Sequence, residues 1–347
     1  MRYHLTHAPV TFYFKHSPRD FVVDEIPLYD FSGEGEHLVL KIRKKSLSTW
    51  EMLSKIANAL DMKIRDIGYA GLKDKHAMTT QYISLHKKYE EAVDNLSIDG
   101  IKVLEKHYHN NKIRTGHLKG NRFFIRLKKV TPADAKKIEQ ALKNLKKQGM
   151  PNYFGFQRFG NDNDNHITGK AICEGKHKER NKKLQTLFIS AYQSDLFNKW
   201  LDARLEYVEQ ARLNGSDSEI YGTSPLGLVR GDVAMHYPQA RAFKVDEPEV
   251  DVERIESKSI VISGLLAGKK SIRAEGLAAE IESPFDAETG VNGARRLAWI
   301  YPEDIESHYR STDGWMELHF TLQKGSYATV LIEQIAKQPI QKLMEGL

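Results

Sequence analysis

The chain has 347 residues, 40% of them hydrophobic and 28% charged, so it is long enough to bury one large core or two smaller ones. Its formal net charge of +6 favours polyanionic partners. No apolar run approaches the roughly 18 residues that span a bilayer, and the first residues lack the apolar stretch of a signal peptide. The single cysteine, Cys173, excludes an internal disulfide. We therefore expect a cytoplasmic protein without membrane segments.

The N-terminal part is predicted to contain strands followed by one amphipathic helix. Alternating β-branched and aromatic residues, separated by Pro or Gly, predict strands over 11–15, 21–24 and 37–42. A helix should follow from about Ser48, because Ser48 and Glu51 form a capping box. The apolar residues after them recur on one helical face.

The segment 68–81 predicts a short strand, a glycine turn, a charged tip and a return strand. Asp74 lies on this tip between Lys73 and Lys75, whose positive charges favour the ionised carboxylate. The two lysines would also attract a phosphate backbone, which an anionic carboxylate would repel unless it had a chemical task. The residues alone leave two interpretations open: a catalytic carboxylate and a solvent-exposed, salt-bridged loop.

Positive charge is concentrated in two segments. Between Lys102 and Lys129, nine Lys or Arg residues accompany one acid, Glu105, and a second basic cluster spans 176–183. The segment 246–256 instead carries six acids and one Arg. This uneven charge predicts a basic surface for phosphates, although each run alone is equally compatible with a solvated face.

The remaining elements are predicted on both sides of a loop-rich middle segment and, for the helix around 191–207, within it. They are a strand over 122–127, a helix over 133–147, a helix around 191–207, a strand over 316–322 and a final helix from about Ser326. Strand-rich sequence on both sides of the middle segment predicts an α/β (α+β) protein with an inserted domain. We expect residues 149–300 to be inserted into a discontinuous domain of residues 1–148 and 301–347.

Several motifs, in order along the chain, resemble the TruD family of pseudouridine synthases. The segment 70–77, Ala-Gly-Leu-Lys-Asp-Lys-His-Ala, is similar to the family's signature together with Thr79 and Gln81. Further blocks resemble the family at Lys15, Pro18 and Asp20-Phe21-Val22-Val23, at 33–37, 118–123, 151–160 and 196–198, and at 324–329. The resemblance is weak over 202–292, and Tyr327 stands where relatives have Phe.

The resemblance implies a pseudouridine-synthase catalytic domain, with a mixed, mainly antiparallel sheet flanked by helices, and an inserted TRUD domain. It implies isomerisation of uridine to pseudouridine at position 13 of tRNA, with Asp74 as the catalytic carboxylate. The reaction breaks the N1–C1′ bond, turns the uracil and rejoins it through C5, so we expect no metal and no cofactor. We expect tRNA as the partner and a monomeric enzyme.

Seven residues are expected to bind substrate: Lys15, Phe21, Lys73, Lys75, Asn121, Phe123 and Tyr327. The aromatic rings would stack on or enclose a flipped base, and the Asn121 amide would read a uracil edge or orient Asp74. The lysines would neutralise phosphate or carboxylate charge. Structural alternatives stay open, with Phe21 and Phe123 as core residues and Asn121 as a turn residue.

Two interpretations from other functional classes also stay open. An RNA-binding or chaperone-like protein would give Asp74 no catalytic role and would bind RNA without turnover. A metal-dependent phosphoesterase would use the cluster of Asp162, Asp164 and His166, which could offer ligands to a hard cation. It would lose activity in a chelator.

Overall fold

The computed structural model describes residues 1–14, 17–160, 162–238 and 241–345, so Lys15 lies outside the described residues. The strands are β1 (Phe21–Pro27), β2 (His37–Lys45), β3 (Gly68–Tyr69), β4 (Met78–His86), β5 (Ile101–His109), β6 (Leu118–Leu127), β7 (Met150–Pro151), β8 (Val233–His236), β9 (Ala242–Lys244), β10 (Ile260–Leu266), β11 (Ala294–Leu297), β12 (Trp299–Ile300), β13 (Glu303–Arg310) and β14 (Trp315–Gln323). The helices are α1 (Thr49–Ala59), α2 (Glu90–Asp94), α3 (Pro132–Gln148), α4 (Asn165–Cys173), α5 (Lys182–Leu213), α6 (Pro248–Glu256), α7 (Gly276–Glu282), α8 (Ala328–Ala336) and α9 (Ile340–Glu345).

Contacts divide the described residues into two compact units. The sheet unit comprises the described residues of Leu5–Gln148, Pro302–Ala328 and Ile335–Leu347. The long-helix unit comprises those of Met1–His4, Gly149–Tyr301 and Thr329–Gln334. Helices and mainly antiparallel sheets occur in this chain as the α+β prediction requires, so the predicted fold class is confirmed.

The sheet unit is built on an eight-stranded sheet in the order β13-β14-β6-β1-β4-β2-β5, with β3 paired to β4. The β1–β4 pair is parallel, and the other pairs of this sheet are antiparallel. Helix α1 buries Met52, Leu53 and Ile56 in a cluster with apolar residues of β2 and β4. It begins as predicted, because Ser48 Oγ accepts from Glu51 N at 3.1 Å and Ser48 N donates to Glu51 Oε2 at 2.6 Å.

Side chains alternate between the two faces of this sheet. Strand register places one set of residues on the face that α1 covers, called here the inner face: Glu25, Ile42, Lys44, Thr79, Gln81, Asn121 and Phe123. The intervening residues lie on the opposite, outer face: Asp24, Arg43, Thr80 and Arg122. Most of the inner face is apolar, but it carries a group of polar side chains where β1, β2, β4 and β6 meet.

The strand predicted over 11–15 is wrong for the residues described there. Tyr13 forms a single bridge with Lys128, and no strand is present between residues 11 and 14. The backbone donors of Val10 and of this segment go to separate partners: Val10 N to Ala336 O, Tyr13 N to Lys128 O and Phe14 N to Leu343 O. The alternation that suggested a strand instead places Phe12 and Phe14 in the core.

The long-helix unit is dominated by α5, which is longer than the predicted 191–207 helix. Asn181 caps it, since its Oδ1 accepts from Lys183 N at 3.0 Å. Helix α5 packs on the sheet β11-β10-β8-β9, where Gly264 is required: a Cβ there would lie 2.2 Å from Trp200 Cζ3. Within the described residues, no helix has the length and apolar character needed to cross a membrane.

Candidate active site

The loop between β3 and β4 carries Asp74, half-buried, and is tied to the first turn of α1 on both sides of this residue. Lys73 N donates to Thr49 Oγ1 at 2.8 Å, and Lys75 Nζ lies 2.8 Å from Glu51 Oε1. Because both anchors belong to one helical turn, the segment bearing Asp74 is held at two adjacent points.

Asp74 is also held through its own atoms. His76 N donates to Asp74 Oδ1 at 2.9 Å, an arrangement in which an Asp side chain caps its own turn. Lys44 Nζ donates to the Asp74 main-chain carbonyl at 2.9 Å. These contacts fix the backbone at Asp74 and restrict the direction in which its carboxylate points.

Lys44 is a site residue that the sequence interpretation missed. Its side chain is fully buried on the inner face, and its Nζ also donates to the Leu47 carbonyl. Burial lowers the pKa of Lys44 to about 8, although the negative charges of Asp74 and Glu51 act in the opposite direction. The available signal was alternation: Lys44 follows the buried Ile42 by two residues in one strand and so faces inward.

The pH dependence of stability tests this burial in a Lys44→Met variant. The unfolded chain binds more protons than the native one between about pH 8 and about pH 10, because the native pKa is the lower. Wild-type stability should therefore rise over this range by up to about 3 kcal/mol more than that of the variant. Urea unfolding at several pH values measures the difference. Lys55→Met, at an exposed position of α1, serves as control, and parallel curves for wild type and Lys44→Met would contradict the prediction.

Lys73 joins Glu25 and Asn121 beneath the loop. Lys73 Nζ lies 2.7 Å from Glu25 Oε2, with side-chain exposures of 5% and 1%. The same ammonium donates to Asn121 Oδ1 at 2.6 Å. Since an ammonium can only donate, this contact orients the amide so that Asn121 Nδ2 remains as a donor. A half-buried amide N–H is therefore available as a donor next to the Asp74 loop.

Gly120 permits Asn121 to occupy this position. A Cβ at residue 120 would lie 2.4 Å from the Leu322 carbonyl of β14, so a side chain would force the two strands apart. Glycine is therefore required at residue 120 by the packing of β6 against β14, next to the polar side chain of Asn121.

Two of the three aromatic residues of the predicted site are core residues of strands, and the third belongs to a connecting segment. Phe21 and Phe123 lie in the core on the inner face, where the Phe123 ring stacks on Phe320 with centroids 5.3 Å apart. The Phe21 and Phe123 centroids are 6.2 Å apart. Tyr327 is half-buried in the segment between β14 and α8. Lys73 and Lys75 thus flank Asp74 on its loop, and Asn121 contacts the loop through Lys73. Phe123 follows Asn121 by two residues on the same face of the sheet.

The cluster of Asp162, Asp164 and His166 lies in the long-helix unit, where the His166 ring meets Phe159 edge to face at 5.4 Å. Across the residues that the structure describes, no three His, Cys, Asp or Glu side chains converge in a way that could hold a metal ion. The geometry of this cluster therefore gives no support to a metal centre there.

Comparisons with known proteins place the chain in a family. The model of the family described as tRNA pseudouridine synthase D (TruD) matches residues 1–182 and 177–335. The chain is similar to the tRNA pseudouridine synthase D of Sulfurimonas denitrificans, with 52% identity over 97% of this chain and 99% of that one. It is also 53% identical to the protein of the same name from Nitratiruptor, over 97% of this chain and 98% of that one.

A solved structure gives an independent view of the fold. The structure named for tRNA pseudouridine synthase D (TruD) of Methanosarcina mazei superposes with a TM-score of 0.70 over 99% of this chain and 97% of that one. At 21% identity this likeness concerns the fold. The family model and the curated relatives extend over almost all of the sequence. The chain therefore belongs to the tRNA pseudouridine synthase D family.

Proposed function

We propose that this chain isomerises uridine to pseudouridine in tRNA and that Asp74 is its catalytic carboxylate. The observation that carries the proposal is the way the Asp74 loop is held. The residues before and after Asp74 are both bonded to the first turn of α1, and the Asp74 carbonyl accepts from the buried Lys44. Asn121 is linked to the loop by its hydrogen bond from Lys73. Such support keeps a reactive side chain in one geometry, which general catalytic principles require.

The chemistry needs the N1–C1′ bond of uridine to break and a C5–C1′ bond to form. The hydrogen on C5 leaves as a proton and N1 gains one, so substrate and product have the same atoms. An ionised Asp74 supplies the nucleophile or base for this exchange. The target base must leave its stack to reach the carboxylate, and Asn121 Nδ2 is placed to donate to a uracil carbonyl.

The other predicted site residues have different roles in this reaction. Lys73 acts as a positioning residue for Asn121, because its ammonium is buried against Glu25 and Asn121. The Lys75 side chain is half-exposed and forms an ion pair with Glu51, so its ammonium can also bind a phosphate of the RNA. Phe21, Phe123 and Tyr327 are proposed to shape the base pocket, and Lys15 to neutralise phosphate or carboxylate charge.

The substrate position and the organisation of the enzyme are also proposals. Family resemblance favours uridine at position 13 of tRNA, a catalytic domain of residues 1–148 and 301–347, and an inserted domain of residues 149–300. We further propose a monomeric cytoplasmic enzyme that needs neither metal nor cofactor.

Tritium release from a tRNA transcript labelled with [5-³H]uridine tests the reaction, because forming the C5 bond must displace that hydrogen. The wild-type chain should release tritium from a transcript with uridine at position 13, at the same rate with and without EDTA. A transcript with cytidine at this position should release none. Absence of release from every tRNA with uridine 13 would overturn the proposal, and equal release from both transcripts would remove position 13 from it.

A further inference from the structure

A row of polar side chains crosses the outer face of the eight-stranded sheet. Strand register pairs Arg43 with Lys102 and with Thr80, Thr80 with Asp24, and Asp24 with Arg122. The row therefore spans β5, β2, β4, β1 and β6, about 19 Å at the usual separation of neighbouring strands. Backbone hydrogen bonds fix the spacing of its members, so the row is a rigid feature of the sheet.

Three basic side chains of this row form no ion pair in the described part of the chain, although the acid Asp24 lies opposite Arg122 in the strand register. Arg43, Lys102 and Arg122 are exposed, and their side chains form no ion pair or hydrogen bond with another residue in the described part of the chain. Other basic residues of the same strands are paired, such as Lys41 with Glu105 and Arg126 with Glu317. Exposed cations that stay unpaired beside paired ones are available to an external anion.

An apolar and aromatic row lies next to the basic one. Register pairs Met78 with Val22, Val22 with Phe124, and Phe124 with His319. Met78, Val22 and Phe124 are half-buried on a sheet face, and His319 is exposed. The Phe124 and His319 rings have centroids 5.0 Å apart, and the Arg126 guanidinium lies 5.4 Å from the Phe124 ring. Within this row, the Phe124 and His319 rings are the flat groups on which unpaired bases could stack.

We propose that the outer face of this sheet binds an unpaired stretch of RNA, with phosphates on Arg43, Lys102 and Arg122 and bases on the row containing Phe124. Single-stranded nucleic acid is the ligand that combines spaced negative charges with exposed aromatic faces. In a duplex the bases are stacked on one another and cannot reach Phe124. If the bound RNA is the substrate tRNA, this surface would help the enzyme to bind its substrate. That part of the inference rests on the proposed function.

Fluorescence anisotropy of a labelled oligoadenylate of about ten nucleotides tests the surface. This probe contains no uracil, so its binding does not depend on uridine isomerisation. The variant Arg43→Gln/Arg122→Gln should reduce the slope of log affinity against log salt concentration by about 1.4, because each lost phosphate contact on a single strand removes about 0.7. Phe124→Leu, which keeps an apolar side chain, should weaken binding about 10-fold.

The matched control is Lys55→Gln/Lys136→Gln, which removes two exposed charges from α1 and α3 and should behave as wild type. A salt slope in Arg43→Gln/Arg122→Gln equal to that of the control would overturn the proposal. So would equal wild-type affinity for the single strand and for the same strand annealed to oligodeoxythymidylate, a complement without uracil. If the salt slope of Arg43→Gln/Arg122→Gln were unchanged while the wild type released tritium, the outer face would be rejected as an RNA site and the proposed function would stand.

Competition with unlabelled tRNA identifies the source of the RNA. Displacement of the oligoadenylate by the uridine 13 transcript would support the surface with the substrate as its ligand. Specific binding of the probe without such displacement would support the surface with another RNA as its ligand. Loss of the salt slope in a chain that releases no tritium would support the surface and reject the proposed function.

Discussion

Replacing Asp74 with asparagine should reduce tritium release from the uridine 13 transcript by about 1,000-fold or more, because the carboxylate that we propose to be catalytic is lost. Asparagine has nearly the same shape and keeps an oxygen for the hydrogen bond that His76 N donates. The loop should therefore remain in place, and RNA binding should remain close to that of wild type. The measurement is single-turnover tritium release together with anisotropy of labelled tRNA.

Asp99→Asn is the matched control for Asp74→Asn, since it removes an exposed carboxylate of the same unit outside the site. It should leave release unchanged. Release from Asp74→Asn at the wild-type rate would keep the enzyme but remove Asp74 from its centre. Loss of release accompanied by loss of RNA binding would show a folding or binding defect and would not support a catalytic role.

Replacing Lys73 with methionine should lower the free energy of unfolding by about 3 to 5 kcal/mol, because Glu25 would then be a buried carboxylate without its cation. The side chains of this pair are 5% and 1% exposed, so water cannot take the place of the ammonium. The change also removes the donor that orients the Asn121 amide. Urea unfolding measures the first effect, and tritium release measures the second.

Two further variants separate these effects. Lys75→Met removes the equivalent lysine on the other side of Asp74, which forms an exposed ion pair with Glu51 at 2.8 Å. Its cost should stay within about 1 kcal/mol. Glu25→Gln combined with Lys73→Met should recover much of the stability but not the activity. Equal losses for Lys73→Met and Lys75→Met would contradict the buried pair.

The pattern of the sequence was sufficient for elements whose signals are local. Strands β1 and β2 follow from alternation over a few residues, and α1 follows from the capping box of Ser48 and Glu51. The motif around Asp74 was likewise recognisable, because its residues are consecutive. Such signals need only neighbouring residues, since helix caps and side-chain alternation are set by the chain close to them.

The tertiary structure decided which distant residues surround that motif. Glu25, Lys44 and Asn121 come from β1, β2 and β6 and converge only because strand register places them on one face beneath the loop. The segment 11–14 has the alternation of a strand, but the backbone donors of residues 10–14 bond to three other parts of the chain. Pairing between strands far apart in sequence depends on the whole sheet, so local pattern was enough for elements such as α1, whereas long-range pairing decided the site and left 11–14 without a strand.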